Sequence, residues 1–159
     1  MAISEAELAQ RVARLEAIDE IMRLKARYCA YCDDDYDPEG IAGLFVEDGL
    51  WDGERFGRYV GRDQIKSFFK SISGEIVFAA HLALNPIIDI KDADHAAGRW
   101  RLIMPATVRS SGRNEARWLV AAYSETYVRV NAVWLFETMY THVNFFEPHD
   151  GSWAATAVL

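Results

Sequence analysis

Cysteine is scarce, two residues in 159, so no disulfide framework can carry the stability of this chain. Histidine is scarce too, and the four present show no metal-ligand spacing. No bound metal is therefore expected. Basic charge is in deficit, with 17 Lys and Arg against 24 Asp and Glu for a net charge of −7, and no basic block offers a phosphate backbone a continuous stripe. Nucleic acid is excluded as a partner. Long apolar runs are missing, so no membrane span is expected. The opening Met-Ala-Ile-Ser-Glu-Ala-Glu-Leu carries acids where a secretory leader would carry basic charge and then an apolar stretch. A cytoplasmic location is the expectation.

The two cysteines form Cys29-Ala-Tyr-Cys32, a spacing that invites a redox reading. A redox pair draws its low thiol pKa from a helix N-terminus, whereas these lie near the end of a helical pattern. They read as buried helix thiols, which suits a reducing compartment.

What the chain has in quantity is apolar and aromatic surface: 51% hydrophobic and 13% aromatic residues, including five Trp. At this length that is enough for one core, and residues 1–159 are read as a single domain. From Ser4 to about Cys32, Leu8, Val12, Leu15, Ile18, Met22 and Cys29 recur at helical steps. Asp37-Pro38-Glu39-Gly40 caps a short second helix over Ile41 to Val46, and Arg62 to Ser73 forms a third. Between them lie short strands at Gly49 to Asp52 and Arg55 to Val60. From Glu75 onward long strands follow: Ile76 to Leu84, Pro86 to Lys91, His95 to Val108, Arg117 to Asn131 and Val133 to Phe146. Helices first and neighbouring strands after them predict an α+β cone, three helices packed on a strongly curved, mostly antiparallel sheet whose concave side they close into a pocket.

Period-two alternation puts His81 among Val77, Ala79 and Ala83, and Ser124 and Thr126 into an apolar stripe with Trp118, Val120 and Ala122. On the last strand His142 and Asn144 share a face with Trp134, Phe136 and Tyr140. Together with Trp51, the residues Ser124, Thr126, His142 and Asn144 are candidates to position a ligand. Taken singly, a histidine or threonine on an apolar strand is more often a satisfied structural residue. Asp33-Asp34-Asp35 is harder to explain structurally, because carboxylates at a helix C-terminus face the negative end of its dipole. A short loop cannot turn all three inward. One of them, hydrogen-bonded to a histidine, would fix the imidazole tautomer for abstracting a proton beside a carbonyl.

Lys25 to Asp33, Gly61 to Ile65, Ala80-His81-Leu82-Ala83-Leu84-Asn85-Pro86 and Ala97-Gly98-Arg99-Trp100, in this order, resemble the SnoaL-like branch of the nuclear transport factor 2-like cone fold. Within it the chain is most similar to the dehydratases of the scytalone and bile-acid types. The resemblance implies that Asp33 and His81 are an acid/base pair and that Tyr28 donates a hydrogen bond to the developing enolate. It implies a cofactor-free lyase that removes water from a small apolar cyclic or polycyclic hydroxy-carbonyl compound. The chain also departs from these relatives: the second histidine of the scytalone enzyme is Ala106 here and its strand asparagine is Thr126, so scytalone itself is not the expected substrate, and the last-strand arginine of the bile-acid type is His142. The fold also hosts ketosteroid-type isomerases, polyketide cyclases and non-catalytic subunits of ring-hydroxylating dioxygenases. Tyr123 and Tyr127, read as outward aromatic residues, together with the habits of relatives, imply a homo-oligomer, a trimer before a dimer.

Overall fold

The computed structural model describes residues 3–150. Helix α1 (Glu5–Asp33) starts at a reciprocal cap in which the Glu7 N–H donates to Ser4 Oγ at 3.2 Å and the Ser4 N–H donates to Glu7 Oε2 at 2.9 Å. Its buried residues Ala17, Ile21, Leu24, Tyr28 and Cys32 advance by three or four. The expected stripe began earlier, at Leu8. Instead Leu8, Val12 and Leu15 are 52%, 44% and 65% exposed, because a helix of 29 residues, about 43 Å long, runs past the part of the sheet it packs against.

Asp37 caps α2 (Pro38–Gly43), accepting from the N–H groups of Glu39 at 3.2 Å and Gly40 at 3.1 Å. This helix ends earlier than its apolar spacing predicts. Strand β1 (Phe45–Asp52) already pairs in parallel with the last strand from Phe45, and the ladder claims residues the helix would have taken. A 3₁₀ turn (Glu54–Phe56) replaces the start of the expected strand at Arg55 and leaves β2 as Arg58–Val60. Helix α3 (Arg62–Ile72) buries Ile65, Phe69 and Ile72.

The remaining strands are β3 (Ile76–Ala79), β4 (Leu82–Ile90), β5 (His95–Ser110), β6 (Arg113–Val130) and β7 (Val133–Pro148). The order across the sheet is β2-β1-β7-β6-β5-β3, with β4 also on β5. Only the β1–β7 pair is parallel among the described strands. The structure is thus α+β, with three helices packed on a strongly curled, mostly antiparallel sheet. Shifts in register within the β3–β5, β4–β5 and β6–β7 ladders supply bends, and strands of this length twist as well. At Gly98 a Cβ would meet the Tyr127 hydroxyl at 2.5 Å, so glycine lets that ring lie across β5. Among the described residues no helix is long and apolar enough to cross a membrane.

Two readings of the strands need correction. Ile76 to Leu84 is not one strand: it breaks at Ala80 and His81, because β3 and β4 pair with separate stretches of β5. The two faces of β6 are also exchanged. Leu119, Ala121, Tyr123, Glu125 and Tyr127 are all buried beneath the helices, with Tyr123 3% and Tyr127 0% exposed. Alternation separates two faces but does not say which one meets the helices. The outward-tyrosine basis for an oligomer therefore falls; the apolar side chains that the sheet exposes include Phe78 of β3 and Leu82, Leu84 and Ile87 of β4.

Candidate active site

Asp33 is the last residue of α1, and His81 stands in the break between β3 and β4. The His81 backbone N–H, freed from the ladder by that break, donates to Asp33 Oδ1 at 2.9 Å and Oδ2 at 3.1 Å. The same carboxylate lies 2.7 Å from His81 Nδ1. A carboxylate can only accept, so Nδ1 carries the proton in this contact, and in the neutral imidazole Nε2 then keeps its lone pair. These donors offset the cost of placing a negative group at a helix C-terminus. Asp34 and Asp35 are exposed, as a short loop requires. The loop turns through positive φ at Asp35 (52°) and Tyr36 (55°), and the Tyr36 ring then meets the His81 ring edge-on at 5.9 Å.

His81 lines a small cavity of about 50 Å³. Its imidazole is only 7% exposed. Most of the wall is apolar, from Phe56, Phe68, Phe69, Ile76, Leu102 and Met104. The polar residues along it are Tyr28, Tyr36, Tyr123 and Thr141, besides His81. Trp51 Nε1 donates to the Tyr28 hydroxyl at 2.9 Å and fixes that ring. Burial pushes Tyr28, Tyr36 and Tyr123 well above the ordinary phenol range. They keep their protons and serve as hydrogen-bonding groups, not as bases.

Residues 13–140 match the SnoaL-like domain. The chain belongs to this family. Among solved structures it is similar to a type 2 LinA hexachlorocyclohexane dehydrochlorinase, with 20% identity and a TM-score of 0.81 over 89% of this chain and 95% of that one. A proposed scytalone dehydratase from Novosphingobium aromaticivorans gives 22% identity and a TM-score of 0.78 over 89% and 93%. An NTF2-like protein with a cystatin-like fold from the same species gives 25% identity and a TM-score of 0.70 over 100% and 99%. No curated protein matches the sequence significantly.

In this SnoaL-like chain the structure brings together Tyr28, Asp33, Trp51 and His81 of the residues singled out in the sequence. The other four lie elsewhere. Thr126 is on the outer face, 2.7 Å from the Thr138 hydroxyl and donating to Glu137 at 2.9 Å, and Ser124 shares that face. His142 is exposed, and Asn144 does not line the cavity. Both follow from β7, where Glu137 is an extra residue between the pairs Thr126 with Thr138 and Tyr127 with Phe136. Past that bulge the inward series becomes Met139, Thr141 and Val143, and Asn144 marks a second shift. Sequence reading missed Tyr36, Tyr123 and Thr141 as lining residues. An aromatic residue directly after three aspartates was the available signal for Tyr36; the bulge left none for Thr141.

Behind the cavity Lys25 and Glu125 form an ion pair at 2.5 Å with side chains 1% and 0% exposed. The Lys25 ammonium sits 3.2 Å from the Tyr123 ring centroid and 4.7 Å from that of Tyr28. Glu125 also accepts from Tyr127, whose hydroxyl accepts from Trp100 Nε1 at 3.0 Å. Burial raises the Cys29 and Cys32 thiols, Cys32 most, which keeps them protonated and unreactive. Among the described residues no group of three His, Cys, Asp or Glu could hold a metal ion.

Proposed function

We propose that the protein is a cofactor-free lyase that eliminates water from a cyclic or polycyclic hydroxy-carbonyl compound, using His81 and Asp33 as its acid/base pair. The observation that carries this reading is the 2.7 Å contact of Nδ1 with Asp33 on a histidine that lines an aromatic cavity. Nε2 takes the proton from the carbon beside the carbonyl, and the electron pair of that C–H bond becomes the enolate. The enolate then re-forms the carbonyl, its electrons make the new C=C bond, and the β-hydroxyl leaves with the proton that His81 returns, as water. Tyr28, held by Trp51, donates to the oxygen on which the enolate charge develops.

The names of two similar structures support elimination as the reaction class, since a dehydratase and a dehydrochlorinase both remove H and a leaving group from neighbouring carbons. Incubation with a panel of cyclic β-hydroxy ketones, read by mass spectrometry, is expected to show loss of water's mass and a new conjugated absorbance. His81→Ala is expected to lower kcat by about 10²–10⁴ while leaving the circular dichroism spectrum intact. Conversion without mass loss would make the enzyme an isomerase or cyclase on the same base. Wild-type rates in both His81→Ala and Asp33→Asn reject the pair.

A further inference from the structure

We infer that the Thr141 hydroxyl is a ligand-contacting group, which makes the substrate a ring compound with a hydrogen-bonding substituent besides the carbonyl. The inference rests on the elimination pocket proposed above and specifies what that pocket selects. Thr141 is 7% exposed and lines the cavity. Its Oγ1 is buried and has no hydrogen-bond partner in the protein. Native proteins rarely leave a buried hydroxyl unsatisfied, since the group has given up its water and gained nothing. Valine has nearly the same shape, would fill the space equally well, and would carry no such cost.

The neighbouring threonines sharpen the contrast. Thr126 and Thr138, three pairs along the same ladder, satisfy each other on the outer face. Thr141 stands opposite Tyr123 in that ladder, where strand pairing occupies the backbone groups around it. Of the remaining unpartnered buried atoms, Arg129 Nε and Trp134 Nε1 lie on residues that do not line the cavity. The Trp51 N–H is already committed to Tyr28. Thr141 therefore adds a polar contact in the cavity separate from Tyr28 and His81. It is a specificity residue, and the proton transfer does not run through it.

The test uses 1-tetralone and its 5-, 6-, 7- and 8-hydroxy derivatives, titrated into the protein with tryptophan fluorescence as the signal, because Trp51 lines the cavity. Wild type is expected to bind at least one hydroxytetralone about fivefold to tenfold more tightly than 1-tetralone. Thr141→Val is expected to erase that ratio while the ligand-free Tm stays equal or rises; Thr141→Ser is expected to keep the ratio, and so is His81→Ala. If tetralones bind but Thr141→Val leaves the ratio unchanged, or no derivative is preferred, the inference fails and the lyase reading stands. A lower Tm or a chain that does not fold in Thr141→Val shows a structural hydroxyl and also overturns it. If no tetralone binds wild type, the pocket reading fails and takes this inference with it.

Discussion

Asp33 accepts from both the backbone and the ring of His81, so a substitution there can separate holding the loop from setting the tautomer. In Asp33→Asn the amide oxygen can still take the backbone N–H. The amide NH₂ then faces Nδ1 and donates to it, which moves the ring proton to Nε2 and removes the base. Asp33→Asn is expected to lower kcat by about 10²–10⁴, close to the loss from His81→Ala, with little change in Tm. Asp33→Ala also leaves a backbone N–H without a partner and is expected to lose a further ~1–3 kcal/mol of stability in urea unfolding. Activity in Asp33→Asn near that of wild type would show that the carboxylate only pins the loop. At this scale the sequence made the acidic run conspicuous, through the helix dipole, without choosing among its three members. Family resemblance supplied that choice, and the geometry adds the contact.

Helix α1 reaches β6 through a charge pair that the sequence did not announce, since Lys25 and Glu125 lie one hundred residues apart. Lys25→Met leaves Glu125 charged, buried and unpaired, and is expected to cost about 3–5 kcal/mol in chemical denaturation. Adding Glu125→Gln removes the orphaned charge and keeps an acceptor for Tyr127, so the double variant is expected to recover most of the loss. If single and double variants are equally unstable, the packing of the lysine stem matters more than its charge. A second element, the β4–β5 turn, is held by Asp92, which accepts from the N–H groups of Asp94 and His95 and from His95 Nδ1, each at 2.9 Å. This contact raises the His95 pKa above 6.5, through the Asp92 hydrogen bond first, and lowers that of Asp92. The His95 contribution is thus full below its unfolded pKa and lost as pH rises through the folded one; the Asp92 contribution is lost as pH falls through its own lowered value. His95→Gln is expected to be less stable than wild type near pH 5.5 and equal to it by about pH 9, by urea midpoints; a constant difference would show that the imidazole charge is irrelevant. For the strands, length and turns were legible because hydrophobic alternation and Asn or Gly punctuation mark them. Facing was not, because a bulge at Glu137 reverses the side chains of β7 as far as the second shift at Asn144, and it is this reversal that brings Thr141 in and turns His142 out.

At the scale of the molecule, the end of α1 and the β3–β4 break meet at one side of the curled sheet, and the aromatic wall comes from β1, α3 and the central strands. That division was legible in outline, since helices gathered in the first half and long paired strands after them leave a concave face that helices must cover. It also means that a ligand in the cavity touches nearly every element that the fold must hold together, so binding has to appear as global stability. For a ketone bound at one hundred times its Kd, mass action adds ~2.7 kcal/mol to the unfolding free energy. For a domain of this size that corresponds to a Tm increase of about 5–10 °C. The same increase is expected in His81→Ala, because the proposed base acts on the transition state and the aromatic wall that holds the ring is unchanged in that variant. Differential scanning fluorimetry on the two proteins with one non-reacting ketone decides the point. A shift in wild type that vanishes in His81→Ala would make the imidazole a binding group for the ground state, and its 2.7 Å contact with Asp33 would then orient a ligand contact instead of a base.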